Sequence, residues 1–188
     1  MRMILTAVGV SGVIALATGC SDIQSTPSTP TVSTIATPAP SMSQAQLCDT
    51  VADFFRYGLG AMDVRTTSSV RGPDADVSSG GVCTVLLGGE PAVWQSRRAP
   101  SEPDPTEGIE DYVGTTKFGH PVWMRLKPVS VTRFADFATR VGEWNGQIRV
   151  PQSGVRTVGG TLVLDDETVR KIVEFLVDLT QRMSLLPG

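Results

Sequence analysis

One histidine, three cysteines and a charged fraction of 19% are thin material for chemistry in a chain of 188 residues. A zinc site draws four ligands from histidine, cysteine and carboxylates, and this inventory does not supply them. The close Cys-X-X-Cys spacing of a thiol redox centre is absent. So is the G-x-S-x-G turn that lifts a nucleophilic serine, and so is any glycine-rich phosphate loop. The formal net charge is −3, and loss of Arg2 with a leader would make it one unit more negative. Nucleic acid needs a basic stripe against its phosphates, which is missing here. A polybasic membrane patch is missing too. The composition therefore implies no cofactor, no metal and no nucleic-acid partner.

What is present begins at the N-terminus. Arg2 is followed by an uncharged run, Met3 to Ala17, which falls short of the ~20 residues a membrane-spanning helix requires. A basic start, a short apolar run and small residues make the pattern of a secretory signal. Leu16-Ala17-Thr18-Gly19-Cys20 then resembles the lipobox of bacterial lipoproteins. That resemblance implies a diacylglyceryl group on the sulfur of Cys20 and cleavage in front of it, giving a leader over 1–19. Two or more acyl chains suffice for stable membrane attachment. Residues 20–42 read as a stalk. All but four of the residues from Ser25 to Ser41 are Ser, Thr or Pro, so nothing there offsets the entropy of ordering, and proline favours an extended spacer.

Residues 43–188 read as a single α+β domain. Its sheet is expected to be small and largely antiparallel, packed by about three helices. Ser43 and Gln46 form a capping-box pattern ahead of a helix over about 44–60. Residues 63–81 read as loop. Val82–Leu87 and Ala92–Arg97, separated by a glycine pair, read as a hairpin. The proline-rich segment 99–108 reads as a surface loop, Ile109–Val113 as a short element, and Pro121–Leu126 as a strand. Phe134, Phe137, Ala138 and Val141 stand at helical spacing, which predicts a second helix over 131–143. Strands over 147–150 and 155–164 precede a final helix capped by Asp165. The inner face of that helix would be Val169, Ile172, Val173, Leu176, Leu179 and Met183.

In an exported, oxidising compartment Cys48 and Cys83 are the right number for one disulfide. It would join the first helix to the first strand and contribute about 4 kcal/mol in the chain-entropy model. Lipobox, Ser/Thr/Pro stalk and a small two-cysteine domain together resemble actinobacterial, especially mycobacterial, cell-envelope lipoproteins. The resemblance implies a lipid-anchored location on the extracytoplasmic face of the cell membrane and carries over no active-site residue.

Within the domain the candidate residues are few. His120 has the side chain whose ordinary pKa suits a general base, but its place before Pro121 suits the mouth of a strand. Glu102, Asp104, Glu107, Glu110 and Asp111 form an acidic run that reads as a solvated loop, with Arg97 and Arg98 beside it to pair with it. Asp165, Asp166 and Glu167 suit a helix N-terminus. Trp94, Trp123 and Trp144 are the large side chains that can line a ligand pocket. The leading expectation is a non-catalytic module that binds an envelope lipid, glycan or protein partner near a tryptophan. The alternatives are a hydrolase using His120, or an accessory subunit docked on a membrane complex through an exposed apolar patch.

Overall fold

A computed structural model describes residues 41–67 and 71–187. The leader, Cys20 and nearly all of the stalk lie outside the described residues. Helix α1 spans Gln44–Asp53 and opens on the capping box expected at Ser43 and Gln46. A π-helical turn, Phe54–Gly58, prolongs it. Strand β1 is Val64–Thr66, β2 Gly80–Leu87, β3 Glu90–Arg98, β4 Val113–Lys117, β5 His120–Arg125, β6 Phe134–Val141 and β7 Trp144–Pro151. A small separate hairpin, β8 (Arg156–Thr157) and β9 (Gly160–Thr161), precedes α2, Asp166–Ser184.

The seven long strands form one antiparallel sheet in the order β1-β2-β3-β7-β6-β5-β4. Two meanders, β1 to β3 and β4 to β7, meet where β3 pairs with β7. The loop of residues 99–112 joins the end of β3 to β4 at the far edge.

Both helices pack on one face of this sheet. Alternation decides which side chains they meet. Cys83, Val85 and Leu87 of β2, Ala92 and Trp94 of β3, Ile148 and Val150 of β7, Ala135 and Phe137 of β6 and Val122 of β5 point inward and are buried. Leu47, Val51 and Phe55 meet them from the N-terminal helix, and Ile172, Leu176, Leu179 and Met183 from α2. The two helices touch through Phe54 and Phe175, whose rings stack with centroids 4.0 Å apart. Cys48 and Cys83 are joined in a disulfide, with Cα atoms 5.2 Å apart, so α1 is tied covalently to β2.

The contact between layers is close at two glycines. A Cβ on Gly81 would overlap Leu47 of α1, and a Cβ on Gly146 would overlap the hydroxyl of Thr180 on α2. The β4–β5 turn places Phe118 at φ 51° and Gly119 at φ 77°, the left-handed pair that a two-residue hairpin with the right strand twist requires.

The fold departs from the sequence expectation in its helix count, two rather than about three. The segment predicted as a helix over 131–143 is strand β6. Its two faces are both covered: Ala135, Phe137 and Thr139 lie toward the helices, and Asp136 and Ala138 are buried on the opposite face. A strand buried on both sides loses its alternation, and four of its apolar residues then match a helical period by coincidence. Residues 63–81, expected to be loop throughout, contain β1, and the long strand expected over 155–164 is only the short β8–β9 hairpin.

Candidate functional site

The sheet face turned away from the helices is polar, and register arranges its residues in rows. One row crosses the strands as Val82, Gln95, Gln147, Ala138, Trp123 and Gly114. The neighbouring row runs Thr84, Val93, Arg149, Asp136 and Arg125. On the other side stand Gly80, Arg97, Asn145 and Arg140.

The loop 99–112 lies across part of this face, held there by side chains of the sheet. Arg140 donates to the carbonyl of Ala99 at 3.0 Å and to Oδ1 of Asn145 at 2.9 Å. Asn145 donates to the carbonyl of Glu102 at 3.1 Å, and Gln147 to that of Pro105 at 3.2 Å. Asp104 folds the loop on itself by accepting from both the amide and the hydroxyl of Thr106, each at 2.7 Å. Thr106 is buried as a result.

Beside this strap the face over β2, β3 and β7 stays open as a basin of about 600 Å³. Its floor is made by Val82, Thr84, Gln95 and Gln147, with Asn145 and Arg97 at one end. Gln95 donates to Oε1 of Gln147 at 2.6 Å, which aligns the two amides and leaves the carbonyl oxygen of Gln95 unspent. Ser79, Gly80, Ser96 and Gln44 complete one wall. No carboxylate is among the described lining residues.

Gln44 occupies that wall because β1 pairs only with residues 85–87 of β2, which leaves the earlier part of that strand an uncovered edge. Its amide reaches over the disulfide to the carbonyl of Val82 at 2.7 Å and lies 3.1 Å from the sulfur of Cys48. The carbonyl oxygen of the same side chain is buried without a hydrogen-bond partner, and so is the hydroxyl of Ser96. Both atoms lie on the helix side of the sheet, Ser96 in the row of Gly81 and Gly146 and the Gln44 oxygen close to Gly81, so neither is presented to the basin.

Away from the basin, Asp136 holds two arginines. Its Oδ1 accepts from Nε of Arg149 at 2.6 Å, and its Oδ2 accepts from Nε of Arg125 at 3.1 Å and from the same guanidinium's Nη2. The bond to Asp136 holds the Arg125 guanidinium above its ordinary pKa. The same guanidinium lies 5.2 Å from the ring centre of Tyr112. Burial, with the charge of Asp136 second, pushes the Tyr112 phenol up, so it stays neutral at physiological pH.

The residues singled out from the sequence are scattered over this frame. Trp94 is fully buried under the helices and its indole N–H has no partner. It lines neither the basin nor the depression beside Trp144, because it occupies an inward position of β3 between Ala92 and Ser96. Trp144 is nearly buried and borders a shallow depression of about 380 Å³ with Arg98, Glu143 and Ser184. Trp123 is half-buried on the polar face, beside Gly114. None of the three lines the larger basin. His120 opens β5 opposite Lys117, and among the described residues no hydroxyl or carboxylate bonds to its ring.

The acidic run is largely spent on local pairs: Glu102 on Arg97, Asp104 on Thr106 and Asp111 on Lys127. Arg98 pairs with Glu143 at 2.7 Å. Asp165 caps α2 by accepting from the amide of Thr168 at 2.8 Å, and that bond holds its carboxyl below the usual range. Among the described residues no group of side chains is arranged to hold a metal ion, and no helix is long and apolar enough to cross a membrane.

Sequence reasoning missed the basin residues Gln44, Gln95, Asn145 and Gln147. The signal was there in Trp144 to Val150, where Asn145, Gln147 and Arg149 alternate with inward residues. In comparisons with protein-family models, curated proteins and solved structures, nothing matches this chain.

Proposed function

We propose that this chain is a lipid-anchored binding module of the extracytoplasmic face, whose open sheet surface takes a polyhydroxylated ligand such as an envelope glycan. The address rests on the leader, the lipobox ending in Cys20 and the stalk. A disulfide between Cys48 and Cys83 suits an oxidising compartment.

The observation that carries the ligand class is the lining of the basin. Amides of Gln95, Asn145 and Gln147 and hydroxyls of Ser79 and Thr84 line one concavity. Sugar hydroxyls both donate and accept, as these groups do. A lipid tail would leave the Gln95 carbonyl oxygen and the Ser79 and Thr84 hydroxyls unpaired, at about 1–3 kcal/mol for each group it buried.

Titration of the isotope-labelled domain with defined oligosaccharides, read by NMR, tests the reading. Binding should move the side-chain amide signals of Gln95, Asn145 and Gln147 together, and Gln95→Ala with Gln147→Ala should weaken it at least tenfold. Oligosaccharides that leave those amides unmoved would refute the ligand class. The address has its own test in Cys20→Ser, which should release the protein from the membrane fraction.

A further inference from the structure

The row beside the basin floor carries charge in the order plus, minus, plus. Arg149, Asp136 and Arg125 stand directly opposite one another on β7, β6 and β5. The Asp136 side chain is only 9% exposed, and its two oxygens are divided between the two guanidinium groups. One carboxylate thus serves two cations, and the neutral Tyr112 adds no negative charge.

Arg149 is the member with capacity to spare. It bonds Asp136 through Nε alone and rests its guanidinium 5.7 Å from the ring centre of Phe134. Its terminal nitrogens have no hydrogen-bond partner among the described residues, and its side chain is 50% exposed. It lies two residues from Gln147 on the same face, a spacing of roughly 7 Å along a strand. A guanidinium anchored at Nε and open at both Nη atoms presents the fork that matches a carboxylate or phosphate in two parallel bonds.

We propose that the ligand of the basin is an acidic saccharide, with an anionic oxygen group received by Arg149 about one pleat from the hydroxyls on the Gln95–Gln147 floor. The proposal rests on the reading of the basin as a saccharide site. Asp136 is a positioning residue that fixes Nε and turns the open fork toward solvent. At the other end of the basin Arg97 is paired with Glu102, and Arg71 donates to the carbonyl of Gly80 at 3.2 Å.

Calorimetric titration with two matched pairs tests this. One pair is oligogalacturonate and its methyl ester, the other mannose 6-phosphate and mannose. The acidic member of at least one pair should bind tenfold or more tighter than its neutral counterpart, and the pair that shows it separates a carboxylate ligand from a phosphate one. Arg149→Gln should reduce that ratio to near one, and Arg149→Lys should retain part of it. Equal affinity within both pairs overturns the acidic ligand and leaves the saccharide reading standing. Failure of all four probes, and of the neutral oligosaccharides above, overturns both.

Discussion

The contact between Gly146 and Thr180 should be among the least forgiving places in the domain. Gly146 lies on β7 at an ordinary strand conformation, so a side chain meets no backbone strain there. The obstacle is α2. A Cβ at this position would overlap the Thr180 hydroxyl and lie 3.1 Å from its Cβ and 3.2 Å from its Cγ2. Thr180 is fully buried and its hydroxyl donates to the carbonyl of Leu176 at 2.7 Å. Rotating the threonine away sacrifices that bond and brings another atom into the gap, so the helix must lift from the sheet. Overpacking of this kind costs about 1–3 kcal/mol, and at about 2–4 °C per kcal/mol for a domain of this size the midpoint falls by roughly 2–12 °C. Urea denaturation of Gly146→Ala, followed by tryptophan fluorescence, measures the cost. Thr180→Ala removes the hydroxyl and Cγ2 but leaves Cβ, so combining the two changes should recover part of the loss, with a favourable coupling of about 1 kcal/mol or more. A single variant within about 0.5 kcal/mol of the parent, the range of ordinary surface changes, would refute the argument. Strict additivity in the double variant would refute it as well.

Other perturbations follow from the same frame. Replacing both Cys48 and Cys83 by alanine opens a loop with a sequence separation of 35. The chain-entropy model sets that loss at about 4 kcal/mol, and thermal melts with a midpoint unchanged within 2 °C would contradict it. Phe118 holds φ 51° in the β4–β5 turn with its side chain largely exposed, so Phe118→Asn, which creates an Asn-Gly turn, should stabilise by about 0.5–1 kcal/mol; a lower melting temperature would count against it. Asp165 and Glu167 have carboxyls held below their ordinary values, the first by the Thr168 amide and the second by Arg170. A lowered folded pKa means stability fully present above the unfolded values of 3.8 and 4.5 and lost as pH falls through the folded ones. The first turn of α2 should therefore loosen only below about pH 4. The Thr168 amide shift should titrate in that range, and Asp165→Ala should abolish the titration.

Where signals were local, the sequence was legible. Both helix caps, the β2–β3 hairpin and the buried stripe of α2 follow from residues near one another in the chain, and the disulfide, 35 residues across, followed from there being two cysteines left to pair. Strand β6 was not legible, because what covers its outer face comes from other strands and from the loop 99–112: Arg125 and Arg149 close over Asp136, and the loop is held across the neighbouring face by Arg140, Asn145 and Gln147. The floor of the basin was half legible. Polar alternation over Asn145, Gln147 and Arg149 is plain in retrospect, but Gly146 between them looks like a turn. It is a strand residue, and it is glycine because α2 leaves no room for a side chain above it. Gln44 carried no signal at all, since its role depends on an edge of β2 that a longer first strand would have closed.

The single pairing of β3 with β7 also has a consequence for assembly. Each meander can zip up from neighbouring turns, at little loss of chain entropy, whereas Val93 must find Arg149 across more than fifty intervening residues. The C-terminal helix rests on β6, β7 and β3, straddling that junction. It follows both meanders in chain order, so two halves that form from local turns are clasped by an element made after them.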